Sequence, residues 1–286
     1  MTGLRVSAHG LVSIYRSEGN DVVALTGVDL EVGPGQLVGL LGPSGSGKST
    51  LIALLAGLQR PSAGRLTVDG RDLTTMSEPE LDRLRATDVG NVLQGADRNL
   101  LSYFNPRQNV AFAQREARRL GKNGLPQPVE VLQLVGVADT ADRPLGVLTP
   151  GELQRVALAV AMAALPGLLL ADEPTSQLDH GHRDEVLDAM HLLNAELGTT
   201  VLTVTHDPEV AARMQRTITI RDGRIGAEGR DGEDFAVVGR DGSLQLPPEV
   251  RELLPPGTLL RVHHNPDGSV LLAPDGLIDP DGSGGR

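Results

Sequence analysis

The sequence predicts an α/β fold: a mostly parallel sheet, an inserted helical subdomain and a small β-rich C-terminal appendage. Three observations carry this. Apolar strand-like runs alternate with helical stretches between residues 37 and 205, the pattern of strand–helix crossovers that leaves neighbouring strands parallel. The short run 37–41 leads directly into a glycine-rich loop and then a helix. A second apolar run, Leu168-Leu169-Leu170-Ala171, ends in two carboxylates, Asp172 and Glu173.

Taken in order, residues 4–15 and 24–32 read as strands, the second closing at Gly33-Pro34-Gly35. Residues 37–41 form a buried strand, 42–47 a glycine-rich loop, and 49–56 a helix stopped by Gly57. Residues 64–70 read as a strand and turn. The stretch 77–150 is mostly helical in pattern and is expected to be an insert, with loop signals at Asn105-Pro106 and at 121–128. Thr149-Pro150-Gly151-Glu152 opens a helix running to about residue 165. A strand at 168–171, a helix at 180–197, a strand at 200–205 and a short helix at 208–214 follow. Residues 217–220 with the Asp222-Gly223 turn suggest a closing hairpin. Beyond it, 235–238 and 244–246 read as paired strands, 247–254 as a short helix, and 259–262 with 269–272 as a further hairpin. Domain boundaries are expected at 1–230, 231–278 and a disordered 279–286.

Composition removes several function classes. The 286 residues include no cysteine, which excludes disulfides, thiolate metal sites and a cysteine nucleophile. Aromatics make up 2% with no tryptophan, too few for an aromatic platform that stacks bases. The formal net charge is −11, and residues 231–286 contribute −6 of it through ten acids and four bases; this balance argues against nucleic-acid binding, which needs basic side chains to neutralise phosphates. No apolar run is long enough to span a bilayer and the first residues have no secretory core. The expectation is a protein without its own membrane segment. Lysine occurs only at positions 48 and 122, so Lys48 needs its own explanation.

That explanation is the loop. Gly42-Pro43-Ser44-Gly45-Ser46-Gly47-Lys48-Ser49 fits G-x-x-x-x-G-K-[ST] between a predicted strand and a predicted helix. Glycines such as Gly42, Gly45 and Gly47 let backbone N–H groups converge on phosphate oxygens, and the helix N-terminus adds positive potential. Lys48 can reach terminal phosphates, and the Ser49 hydroxyl can ligate Mg²⁺. Ser44 and Thr50 flank this cradle. At the second strand end, Asp172 is suited to Mg²⁺ and Glu173 to polarising an attacking water. Taken alone, that pair also fits a solvated acidic strand end; beside the loop, chemistry is favoured.

With these residues in place the chain resembles the ATP-binding subunits of ABC transporters, over about residues 4–230. Tyr15 stands where that family stacks a ring on adenine. Gln94, in Val89-Gly90-Asn91-Val92-Leu93-Gln94, matches the glutamine that senses Mg²⁺ and the transmembrane partner. Leu148-Thr149-Pro150-Gly151-Glu152 stands at the signature, Ser176-Gln177-Leu178-Asp179 at the loop joining the two sites, and His206 at the switch histidine. The resemblance implies ATP and Mg²⁺ as ligands. Glu173, His206 and Gln94 would act in hydrolysis, and Ser49, Gln94 and Asp172 would hold the metal. Thr149, Gly151 and Asp179 would contact the nucleotide across a head-to-tail dimer. It also implies a second ATPase subunit, identical or different, and membrane permease subunits that place the protein peripherally on the cytoplasmic side. The run 77–85, then 90–94, Leu100-Leu101 and Asn109-Val110 resembles the lipoprotein-release, macrolide-exporter and FtsE-like subfamily. This implies export or lipid extraction, with an ATP-dependent clamp that transports nothing as the alternative. The signature departs from the family at Pro150, which lacks an N–H; slowed or asymmetric hydrolysis is expected. The tail's order of strand, Leu-Pro, short helix and hairpin resembles an AbrB-type module, which implies dimerisation or partner docking.

Overall fold

The computed structural model describes residues 3–17, 20–230, 233–239, 242–244, 246, 248–255, 257–265 and 267–274. The chain begins with Val6–Ser17 (β1), Asn20–Val32 (β2) and Leu37–Leu41 (β3), then Lys48–Leu55 (α1), Ala63–Val68 (β4) and Arg71–Asp72 (β5). Glu78–Thr87 (α2), Val89–Val92 (β6), Pro106–Arg119 (α3), Pro128–Leu134 (α4) and Pro150–Ala161 (α5) follow. Leu168–Asp172 (β7), His180–Leu197 (α6), Thr200–Val204 (β8), Pro208–Ala212 (α7), Arg216–Arg221 (β9) and Arg224–Arg230 (β10) come next. The last elements are Glu233–Ala236 (β11), Pro248–Leu253 (α8), Leu260–His264 (β12) and Val270–Pro274 (β13).

Two sheets enclose α1. The antiparallel sheet has the order β2-β1-β4-β5, and the main sheet has the order β11-β10-β9-β3-β8-β7-β6. Strands β9, β3, β8, β7 and β6 are parallel, and β10 and β11 add to them antiparallel. Helix α1 is apolar around most of its circumference because it has a sheet on either side: Leu51, Ile52, Leu54 and Leu55 are all buried in one core with Leu25, Leu40, Leu66 and Leu170. A second core covers the other face of the main sheet, where Val110, Val131, Val156 and Leu187 bring in α3, α4, α5 and α6.

Register fixes where chemistry can happen. Leu40 of β3 and Asp172 of β7 both pair with Val204 of β8. Three adjacent parallel strands therefore end level, and the residues that follow them share one crevice at the carboxyl edge of the sheet.

Two expectations need correcting. The stretch 77–150 is not a helical insert throughout. Helix α2 buries Leu81 and Leu84 in the core around α1, and β6 is the edge strand of the main sheet, paired parallel with β7. Four residues are too few for a period to register, and Val89, Gly90 and Val92 are buried without alternation. The region inserted between sheet strands thus begins after Val92. Second, 235–238 is shared between two partners: strand β11 pairs with β10 from Ala227↔Ala236 to Arg230↔Glu233, and toward 244–246 the described residues show a Val238↔Leu244 bridge and a bond from Gly239 N to Ser243 O at 2.7 Å. The open edge of β10 offers a longer ladder than a local turn could. Helices α5 and α7 also stop short of expectation, α5 before a turn in which Leu165 takes a positive φ ahead of Pro166. The second tail hairpin forms as β12 and β13. The expected disordered segment 279–286 lies outside the described residues, as do Arg240 and Asp241 of the first expected tail turn.

Candidate active site

The loop after β3 takes the shape its glycines permit. Gly42, Gly45 and Gly47 have φ of 141°, 77° and 103°. A Cβ on Gly42 would lie 2.0 Å from the Ile220 carbonyl oxygen, and one on Gly47 2.4 Å from that of Ala24. Both positions are therefore closed to any other residue by neighbours as well as by backbone. Lys48 opens α1 and folds back: its Nζ donates to the carbonyls of Gly42 and Pro43, both at 2.8 Å. Burial pushes its pKa down, opposed by the nearby carboxylates of Glu173 and Asp172.

Eleven of the expected residues line one cavity of about 480 Å³: Tyr15, Ser44, Gly45, Gly47, Lys48, Ser49, Thr50, Gln94, Asp172, Glu173 and His206. Gly42 stands behind it, holding the lysine. The cavity fits a phosphate-bearing ligand. Helix α1 carries no side-chain cap and no acid in its first turn, so its N-terminal donors face the cavity uncompeted. The buried Ser46 hydroxyl has no hydrogen-bond partner among the described residues. The hydroxyl of Ser49, the amide oxygen of Gln94 and the carboxylate of Asp172 form a hard oxygen set suited to Mg²⁺. A larger hollow of about 650 Å³ lies outside the loop near Pro43, Thr217 and Arg221. It shares His206 but has neither the lysine nor the strand-end carboxylates, so the smaller cavity is the one with the chemistry.

Glu173 follows β7 directly. Its N–H donates to Val204 O at 3.1 Å, and its φ of 51° turns the side chain back across the strand ends. A left-handed conformation in a non-glycine residue costs on the order of 1 kcal/mol. It is held by the Ser176 hydroxyl, which donates to the Glu173 carbonyl at 3.0 Å. The Glu173 carboxylate is 14% exposed and accepts from Nδ1 of His206 at 2.8 Å, while His206 itself is 71% exposed. With Nδ1 committed to Glu173, Nε2 of His206 stays available toward the cavity.

Thr149, Gly151 and Asp179 are not in this cavity. They form a second cluster where α5 and α6 begin. Thr149 caps α5 in a complete capping box: its hydroxyl accepts from Glu152 N at 3.2 Å, and Glu152 accepts from Thr149 N at 2.7 Å. The Thr149 N–H bond holds the Glu152 carboxyl below its ordinary pKa. Asp179 caps α6, accepting from the backbone N and from Nδ1 of His182. The His182 side chain packs against Gly151, so that a Cβ there would fall 2.3 Å from Cδ2. Gly151→Ala is accordingly expected to cost about 1–3 kcal/mol by prying α5 from α6. A melting temperature equal to that of the parent protein would show that the helices can separate freely.

Two sets of residues had no signal in the sequence. Asn99 brackets Gln94: its Oδ1 accepts from Leu93 N at 2.8 Å, and its Nδ2 donates to the carbonyls of Leu93 and Gly95. Just beyond this loop, Tyr103, Phe104 and Phe112 form an aromatic cluster with ring centroids 4.7 and 5.9 Å apart. Tyr103 is 75% exposed and Phe112 50%, in a chain with only two tyrosines and three phenylalanines. Nothing in the spacing of these residues marked them as a patch.

The geometry agrees with the known proteins the chain is similar to. A family profile described as ABC transporter matches residues 25–176. The lipoprotein-releasing system ATP-binding protein LolD 1 of Caulobacter vibrioides is 38% identical over 232 residues, covering 81% of this chain and 98% of that protein. The methionine import ATP-binding protein MetN of Rhodopseudomonas palustris is 38% identical over 272 residues, covering 93% of this chain and 71% of its own. A dimeric ATP-binding cassette solved in a post-hydrolysis state with ADP and Pi superposes with a TM-score of 0.69 at 30% identity, covering 80% of this chain and 100% of that one. With a phosphate loop, strand-end carboxylates and His206 in one crevice, this chain belongs to the ABC transporter ATP-binding family and is an ATP-hydrolysing subunit of that class.

Proposed function

We propose that the protein is the motor of an export or lipoprotein-extraction system, acting in pairs beneath separate permease subunits on the cytoplasmic face of a membrane. Among the described residues no helix is long and apolar enough to cross a bilayer, so the membrane part is assigned to partners. The observation that carries the reading is the contact of Glu173 with His206 inside the cavity that also holds Lys48 and Gln94.

In this reading Tyr15 supports adenine, and the 42–50 loop and Lys48 bind the phosphates. Ser49, Gln94 and Asp172 hold Mg²⁺, which neutralises charge on the phosphate oxygens when bound. Glu173 orients the attacking water and takes its proton. His206 keeps the Glu173 carboxylate in place and presents Nε2 toward the terminal phosphate. The cluster of Thr149, Gly151 and Asp179 serves the nucleotide of the second subunit. The exposed aromatic patch of Tyr103 and Phe112, next to the loop bearing Gln94, is where a permease is assigned to dock. Residues 1–230 with the edge strand β11 are assigned to the ATPase domain, and the tail beyond β11 to dimerisation or partner docking, in keeping with its AbrB-like order. At equal identity, the lipoprotein-releasing relative is matched over 98% of its length and the import relative over 71%, which supports extraction.

One observation supports slow turnover, as in an ATP-dependent clamp. Pro150 has no N–H, and the capping box engages those of Thr149 and Glu152, leaving Gly151 as the free donor at the start of α5. Pro150→Gly is expected to raise ATP turnover several-fold in the assembled complex. An unchanged rate would remove the proline from the mechanism.

The function is tested by recovering Glu173→Gln with Mg-ATP from solubilised native membranes and identifying its companions by mass spectrometry. A co-purifying permease is the expected result. A second ATPase in the same complex would make the pair a heterodimer. Recovery of the bait alone, or with ribosomal or DNA-bound proteins, would end the membrane reading.

A further inference from the structure

Two arginines tie the ends of the short helix α7 to the first half of α6, and they meet at Asp184. At one end Arg183, in the first turn of α6, reaches Asp207 through Nη1 at 3.2 Å and Glu209 through Nη2 at 2.6 Å. Its Nε lies 3.6 Å from Asp184, and the side chain is 12% exposed. At the other end Arg213, which closes α7, reaches Asp184 at 3.4 Å and Asp188 at 2.5 Å and is 35% exposed.

Local helix stability does not explain Arg183. A cation in the first turn of a helix opposes the macrodipole, and the Asp179 carboxylate that caps α6 is already engaged by His182. Burying a guanidinium also costs desolvation. Its placement answers to what it holds. Asp207 directly follows His206. Its N–H donates to the Thr205 hydroxyl at 3.0 Å, its Oδ1 accepts from Glu209 N at 2.8 Å, and its Oδ2 takes Arg183. Arg183 in turn donates its backbone N–H to Asp179 O at 2.9 Å. An unbroken series of bonds therefore runs from Asp179, through Arg183 and Asp207, to His206 and Glu173.

We propose that Arg183 is a positioning residue for hydrolysis: it fastens the His206 switch to α6, so that a displacement of the 176–179 loop moves His206 relative to Glu173. This rests on the reading that Glu173 and His206 act on the terminal phosphate of ATP. Arg183 does not line the cavity of Lys48 and Glu173, and it acts through Asp207.

The test compares ATP turnover by the full chain carrying Arg183→Met, Arg183→Lys, Asp207→Asn or Arg213→Met. Arg183→Met is expected to lower kcat about tenfold with KM for ATP within about twofold, because the 42–50 loop is untouched. Asp207→Asn, which keeps an oxygen to cap α7 but loses the charge, should reproduce that split. Arg183→Lys, still able to hold Asp207, should recover most of the rate. Arg213→Met breaks the other joint between the same helices; it should lower Tm while leaving kcat unchanged. Wild-type kcat in Arg183→Met, or an equal loss in Arg213→Met, would overturn the proposal and make the joint purely structural. Wild-type turnover in His206→Ala would instead fail the underlying reading of the switch, so the two failures are distinguishable.

Discussion

Glu173→Gln should lower ATP turnover about 10²- to 10³-fold while leaving nucleotide affinity within a few-fold. The amide is nearly isosteric, and its oxygen can still accept from Nδ1 of His206, so the 2.8 Å contact and the strained backbone at Glu173 survive. What is lost is a group able to take a proton from water. Because binding is retained and cleavage is not, the ATP-bound dimer should accumulate. Phosphate release under steady state and the elution volume with Mg-ATP measure the two halves separately. Turnover within threefold of the parent would show that another group takes the proton, and Asp172 at the end of β7 would be the next residue to replace.

Lys48→Ala should cost at least about 10²-fold in ATP affinity, on the order of 3 kcal/mol for removing charge-assisted contacts from a partly desolvated site. The ammonium already bridges two loop carbonyls and faces two carboxylates. It is thus preorganised, and incoming phosphates meet a cation whose position needs no further ordering. The fold should tolerate the change, since Leu51, Ile52, Leu54 and Leu55 of α1 remain buried between the sheets. Fluorescent-nucleotide titration against an unchanged melting curve is the measurement. Near-normal affinity would mean that backbone donors alone hold the nucleotide.

Taken together, the two expectations assign separate tasks to neighbouring side chains: the loop binds, and the strand ends cut. Arg183 and Asn99 belong to neither task. Each holds a loop that leads into the cavity, that of His206 in one case and that of Gln94 in the other.

The nucleotide loop was legible in the sequence because its chemistry is contiguous. Convergent N–H groups, a helix start and Lys48 lie within eight residues, and local backbone geometry alone assembles them. The strand-end pair Asp172-Glu173 was legible for the same reason. Gln94 and His206 were legible through the order of motifs along the chain, which no local rule supplies. Tertiary structure decided everything set by partners far apart in sequence. Strand β6 is four residues long and is defined by pairing with β7; β11 joins β10 because an edge was open. Gly151 is required by the His182 ring and Arg183 by Asp207 and Glu209, contacts that exist only once α5, α6 and α7 are packed. Sequence pattern records a residue's bonds to its near neighbours and its average burial. It does not record which distant side chain will lie against it, because that depends on register and packing of the whole sheet.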